Sequence, residues 1–161
     1  MKLTLLFFFT LVASVVTMNE DFDEDFVEFL ASVINMTKEE TQICVNKSSV
    51  TIEDMMHFDQ VLTDDLRTID FDDKLLKIGC LVACICQKKE MMTGAHVNIN
   101  KLKEMIRPDS KEFASDKLVR DYQVLDKCAD YVKNMTDECE VSLKFFMCGH
   151  IEMKNRNNNN E

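Results

Sequence analysis

The 161-residue chain contains little glycine or proline and no tryptophan: it has three Gly, one Pro and two Tyr. So few glycines exclude collagen-like repeats, and they are too few and too far apart to form a glycine-rich phosphate-binding loop. Positive charge is also scarce, since 19 Lys and Arg stand against 29 Asp and Glu and give a net charge of -10. Because such a surface repels phosphate backbones and anionic headgroups, we expect no nucleic-acid partner.

Apolar residues nevertheless make up 46% of the chain and charged residues 30%, as in an ordinary packed globule. The length suits one domain, and neither an internal repeat nor an interdomain linker is evident. The composition therefore predicts a single folded domain rather than a disordered chain.

Residues 1–18 read MKLTLLFFFTLVASVVTM and resemble a secretory signal peptide, with Lys2 followed by an apolar run from Leu3 to Val16. The run is shorter than the roughly 20 apolar residues that span a bilayer, so we expect cleavage and no stable membrane insertion. We predict a folded domain over 19–153 and a disordered polar tail over 154–161. The chain is then secreted into an extracellular, oxidising compartment, where cysteines pair. Three sequons make Asn35, Asn46 and Asn134 candidate N-glycosylation sites.

Helical periodicity dominates the rest of the chain. Phe22, Phe26, Phe29 and Val33 recur at helical spacing, while Thr37-x-x-Glu40 and Thr51-x-x-Asp54 are patterns that open helices. Gly94 is expected to end the longest stretch as a left-handed cap. No strand-like alternation is visible. We therefore predict an all-α fold with helices over 20–35, after 37, after 51, and over 72–92, 98–106, 115–133 and 136–153.

Cysteine spacing is the most specific signal in the sequence. The seven cysteines are Cys44, Cys80, Cys84, Cys86, Cys128, Cys139 and Cys148. Cys80 and Cys84 lie one helical turn apart and face the same way, so each should reach a different neighbour. Cys139 and Cys148 fall on opposite sides of one helix, which is then held from two sides. The spacing alone does not choose among the pairings of six cysteines.

Once Cys86 is set aside, three residues separate Cys80 from Cys84 on a central helix, and eight separate Cys139 from Cys148 near the C-terminus. These spacings resemble those of the insect odorant-binding proteins, the pheromone- and general-odorant-binding family. Local strings agree over nearly the whole mature chain: Gly79-Cys80-Leu81-Val82-Ala83-Cys84, Met91-Met92-x-Gly94, Val97 to Leu102, and Asp126-Lys127-Cys128. The resemblance implies the pairs Cys44–Cys84, Cys80–Cys139 and Cys128–Cys148. It also implies a compact bundle of about six helices around an apolar cavity, stapled by these three interlocked disulfides.

By the same resemblance the protein is a soluble carrier of small hydrophobic molecules, odorants or pheromones, through aqueous extracellular fluid to an olfactory receptor. It would be a monomer or a weak homodimer, without enzymatic activity, metal or cofactor. Counting from the cysteines, the resemblance implies a ligand-binding wall of Val82, Cys86, Met91, Met92, Val97, Tyr122, Leu125, Phe145 and Phe146. At Cys86 the family can carry a hydroxyl. Since a thiol is a weaker donor, a more apolar ligand or another anchor such as Tyr122 is implied.

Alternatives remain open at this point. Composition alone favours a solid core, which would suit a secreted signalling or venom-type protein that acts through a surface patch. A salivary scavenger of amines or leukotriene-like mediators would share the fold but need an inward-facing acidic residue. A zinc site at Cys84, Cys86 and His96 would need ligands that the disulfides consume. His96 lies in the loop around Met92 and Val97, a region that resembles the family's pocket lid, and is a candidate pH switch for ligand release. The Asn-rich tail is too polar to enter an apolar cavity, so truncation after Met153 should leave binding unchanged.

Overall fold

The computed structural model describes residues 22–63, 71–107 and 115–158. The predicted signal peptide at 1–18 lies outside the described residues. Within them the chain forms seven helices and one short hairpin: α1 (Phe22–Ile34), α2 (Lys38–Ser48), α3 (Ile52–Thr63), α4 (Asp73–Lys88), β1 (Met92–Thr93), β2 (His96–Val97), α5 (Ile99–Ile106), α6 (Ser115–Val132) and α7 (Glu138–Asn158). The predicted all-α fold is confirmed.

Local capping sets several helix starts, as the sequence predicts. The Thr37 hydroxyl accepts from the Glu40 backbone N–H at 3.2 Å, and the Glu40 carboxylate accepts from the Thr37 N–H at 3.2 Å. The Thr51 hydroxyl and the Asp54 carboxylate form the same reciprocal pair before α3. Each pair satisfies backbone donors that the first helical turn leaves without partners.

The region after α4 differs from the prediction of a helix to residue 92. The helix ends at Lys88, and Glu90 adopts a left-handed φ of 60°. Met92 then pairs with Val97, and Thr93 with His96, in an antiparallel hairpin. Gly94, with φ 55°, belongs to the two-residue loop of this hairpin and is not the cap of α4. Strands of two residues are too short to show an alternating pattern in the sequence.

The C-terminal helix is longer than predicted. It continues through Asn158, so the segment expected to be disordered at 154–161 is helical over its first residues. No glycine or proline interrupts the chain after Gly149, so no residue in this stretch disfavours a helix strongly.

Three disulfides join four of the helices. Cys44–Cys84 links α2 to α4, Cys80–Cys139 links α4 to α7, and Cys128–Cys148 links α6 to α7. These are the pairs that the family resemblance implies. Because α4 and α7 each carry two bridges, they form the cross-linked centre of the bundle.

The contact between α4 and α7 depends on Gly79. A Cβ at this position would lie 2.3 Å from the Cys139 carbonyl oxygen, so only glycine allows the two backbones to approach this closely. The buried Ser142 hydroxyl donates to the Gly79 carbonyl across the same contact. The close packing at Gly79 and the adjacent Cys80–Cys139 bridge thus hold α4 against α7 at one point of contact.

Most of the interior is one apolar cluster, which we call the large cluster. Its buried members come from α1 to α4, the α2–α3 connection and α7: Leu30, Ile34, Cys44, Val50, Phe58, Leu62, Leu75, Ile78, Leu81, Cys84, Ile85, Leu143 and Met147.

Within the described ranges, no helix is long and apolar enough to cross a membrane.

Candidate ligand-binding site

A second apolar cluster, which we call the small cluster, lies where the hairpin meets α4, α6 and α7. Its buried members are Met92, Val132 and Val141, and its half-buried members are Cys86, Ala95, Val97, Met135 and Phe145. Met92 and Val97 are cross-strand partners, so their side chains lie on the same face of the hairpin. Val141 and Phe145 lie one turn apart on one face of α7.

Four of the predicted wall residues therefore come together: Cys86, Met92, Val97 and Phe145. They come from α4, the hairpin and α7, which are far apart in the sequence. Two more, Val82 and Phe146, are half-buried and pack against the large cluster instead. The Phe146 ring lies 5.7 Å from that of Phe58. Because Val82 precedes Cys86 by one turn on α4, these two positions face the same side of the helix.

Val82 and Cys86 are less buried than their neighbours on α4. Leu81 is 3% exposed and Ile85 is 2% exposed, whereas Val82 and Cys86 are half-buried. One side of α4 thus carries apolar surface that the described residues do not fully cover.

The remaining predicted wall residues lie elsewhere. Leu125 is 8% exposed and buried in α6, outside both clusters. Met91 is half-buried, and its backbone fixes the hairpin: its N–H donates to the Cys86 carbonyl and its carbonyl accepts from the Asn98 N–H, both at 2.8 Å. The contact of both residues with a ligand stays a prediction.

Tyr122 faces a polar groove between α5 and α6. The groove has a volume of about 360 Å³, and its other lining residues are Asn98, Asn100, Lys101, Lys103, Glu104 and Arg107. The Tyr122 hydroxyl donates to the Lys103 carbonyl at 3.2 Å, and the Lys103 ammonium lies 5.4 Å from the Tyr122 ring. Since none of these residues belongs to either cluster, the structure does not bring Tyr122 together with the small cluster.

The thiol of Cys86 is an apolar group in this setting. Cys86 forms no disulfide. Although the residue is only half-buried, its sulfur lies among apolar side chains, and this desolvation raises the pKa of its thiol to about 12. It therefore stays protonated at neutral pH. Because the thiolate is the reactive form of cysteine, this thiol is a poor nucleophile and a poor metal ligand.

Polar contacts close the edge of the small cluster. The Glu138 carboxylate accepts from the Gln87 amide at 2.6 Å and from the Lys47 ammonium at 3.1 Å. The hydrogen bonds from Gln87 and Lys47 lower the pKa of Glu138 despite its partial burial. This contact ties the start of α7 to α2 and α4, and nothing in the sequence pattern indicates it, because the three residues are widely separated.

The histidines occupy different environments. His96 is exposed on β2 opposite Thr93, and its role as a pH switch stays a prediction. His57 contacts the Asp72 carboxylate at 2.9 Å. Partial burial and the charge of Lys154 lower the pKa of His150, against a hydrogen bond to the Leu62 backbone that raises it. His150 is therefore neutral at pH 7.

A model of the PBP/GOBP family matches residues 27–152, a span that contains all seven cysteines. The chain belongs to this family. The resemblance to the pheromone- and general-odorant-binding proteins is thereby confirmed. Among curated relatives, the pheromone-binding protein Gp-9 of Solenopsis nigella gensterblumi is 27% identical over 107 residues, which cover 66% of this chain and 68% of the relative. Gp-9 of Solenopsis globularia littoralis is 26% identical over 118 residues, covering 73% and 74%. No solved structure matches the chain significantly.

Proposed function

We propose that this PBP/GOBP-family protein is a secreted carrier that holds one small apolar molecule beside the small cluster, without chemical turnover. The observation that carries the proposal is the half-buried state of apolar side chains in the small cluster: Cys86 on α4, Val97 on the hairpin and Phe145 on α7. Apolar surface that is not covered costs about 25 cal/mol per Å², and a ligand that covers it recovers this free energy.

The covalent framework explains how such surface can persist. A small domain would ordinarily close an internal gap, because unfilled space costs packing energy. Here α4 and α7 are each held by two disulfides, and each bridge contributes roughly 3–4 kcal/mol in the chain-entropy model. The bundle can therefore stay folded with an interior that is not completely filled.

Relatives named as pheromone-binding proteins support a ligand of odorant or pheromone type. Flexible methionines such as Met92 and Met135 can adjust to ligands of varied shape. Entry into the secretory pathway through residues 1–18 and delivery of the ligand to an olfactory receptor are parts of this proposal.

The test is a binding titration on protein recovered from the medium of cells that express the full chain. A fluorescent apolar probe should bind at one molecule per chain and be displaced by a medium-chain alcohol. Phe145→Ala should weaken binding, because it removes an apolar wall. Tyr131→Ala should leave binding unchanged, since Tyr131 is 58% exposed and outside both clusters. A folded, oxidised protein that binds no probe would instead support a solid bundle that acts through its surface.

A further inference from the structure

The chemistry of the small cluster is uniform. Each member supplies hydrocarbon, thioether or thiol: Met92, Val132, Val141, Cys86, Ala95, Val97, Met135 and Phe145. The polar side chains next to it on α4 and α7 are the Gln87 amide and the Glu138 carboxylate, and the Lys47 ammonium near them is already paired with Glu138. The wall therefore offers no cation to pair with a negatively charged ligand.

The nearest elements do contain lysines: Lys88 on α4 is exposed, and three others contact the protein's own acceptors. On the α4 side, Lys89 donates to the Asn35 carbonyl at 2.9 Å. Lys103 on α5 contacts the Asp126 carboxylate at 2.6 Å, and Lys144 on α7 contacts the Glu140 carboxylate at 2.5 Å. Each of these three cations would have to leave its partner before it could neutralise a ligand.

We propose that the site selects uncharged ligands, so that alcohols, aldehydes and esters bind and the carboxylate of the same chain length is rejected. This inference rests on the proposed carrier function and specifies its ligand class. Burying a carboxylate without a partner is strongly unfavourable, and the net charge of -10 adds repulsion. The neutral thiol of Cys86 completes a wall that tolerates a weak dipole but not an ion.

The experiment compares three competitors of equal chain length at neutral pH: decanol, methyl decanoate and decanoic acid, each displacing the fluorescent probe. We expect the acid, which is ionised, to bind at least about tenfold more weakly than its methyl ester. If the acid binds as well as the ester, the inference is wrong and the carrier function stands. If none of the three displaces the probe, the carrier function itself fails.

Repeating the competition at high salt distinguishes the cost of desolvating the ligand's carboxylate from its long-range repulsion by the acidic protein surface. Raising the ionic strength screens the repulsion from the acidic surface but leaves the desolvation of a buried carboxylate largely unchanged. The ester's advantage should therefore persist at high salt. Its disappearance would assign the discrimination to the surface charge and overturn the role of the wall.

A gain-of-function variant tests the same wall from the other direction. Val97→Lys places a cation at the edge of the small cluster and should shift the acid-to-ester affinity ratio about tenfold toward the acid. Met56→Lys makes the same charge change on an exposed α3 residue outside both clusters and should leave the ratio unchanged. Met135→Lys serves as a second variant if Val97→Lys does not fold. An unchanged ratio in a folded wall variant, or equal shifts in wall and control variants, would contradict the proposal.

Discussion

The large and small clusters are built from the same kinds of side chain but are packed differently. In the large cluster, 13 buried residues outnumber eight half-buried ones, whereas in the small cluster five half-buried residues outnumber three buried ones. Helix α7 belongs to both, with Leu143 and Met147 in the first and Val141 and Phe145 in the second. The difference indicates that the large cluster is the more completely buried of the two, while the small cluster retains apolar surface that the described residues do not cover.

The largest expected effect is the loss of a side chain from the large cluster. Leu143 is 1% exposed, so Leu143→Ala should lower the free energy of unfolding by about 2–5 kcal/mol. Phe145→Ala, two residues further along α7 and in the small cluster, should cost clearly less because Phe145 is already half-buried. Urea denaturation of the oxidised proteins measures both. Equal losses would remove the distinction between the two clusters.

Removal of the Cys128–Cys148 bridge should have the next largest effect. The bridge joins α6 to α7, the two helices that contribute Val132 and Val141 to the small cluster, and its cysteines are 20 residues apart. The double Cys→Ala variant should lose about 3 kcal/mol of stability and bind the probe more weakly. Denaturation and probe titration check the two effects. Unchanged affinity would mean that the small cluster does not depend on this cross-link.

A smaller effect concerns acid stability at the edge of the large cluster. Burial raises the pKa of Asp54, but hydrogen bonds from Thr51 and the Lys77 ammonium at 3.2 Å outweigh it, so the pKa lies below its usual 3.8. The ionised carboxylate therefore stabilises the fold above pH 3.8, and this contribution is lost as the pH falls through the folded-state pKa.

Lys77→Met removes one of these partners and should cost about 1 kcal/mol or less at neutral pH, since Lys77 is partly exposed. It should also move the acid-unfolding midpoint, followed by circular dichroism, to higher pH. Lys144→Met, which breaks a pair within one helix, is the matched control. A midpoint that moves no further than in the control would show that Asp54 is not coupled to Lys77.

The smallest expected effect belongs to Cys86. Cys86→Ser should change the free energy of unfolding by about 1 kcal/mol or less, because the site is half-buried and the hydroxyl is close in size to the thiol. Binding of decanol should be retained, as measured by probe displacement. A loss as large as that of Leu143→Ala would place Cys86 in a filled core.

The parts of the fold that the sequence predicts are local or covalent. The Thr37–Glu40 and Thr51–Asp54 pairs are readable because each hydrogen bond spans three residues. The disulfides follow from the family's cysteine spacing. By contrast, the Lys47–Glu138 contact spans 91 residues, and no spacing rule connects its partners.

The candidate site was only partly predictable for the same reason. Cysteine spacing identifies Cys86, Met92, Val97 and Phe145 as candidates, and only the tertiary fold shows that they share one cluster. Tyr122 looks equivalent in the sequence, yet the packing of α6 against α5 turns it to a polar groove. Which face of a helix meets which neighbour depends on contacts such as the close approach at Gly79, which a single sequence does not show.

Methionine methyl groups provide the most direct test of whether the small cluster contacts the ligand. In a protein with ¹³C-labelled methionine methyls, addition of decanol should shift the signals of Met92 and Met135 and leave that of Met147, buried in the large cluster, nearly unchanged. Shifts at Met147 without shifts at Met92 and Met135 would place the ligand elsewhere and contradict the account.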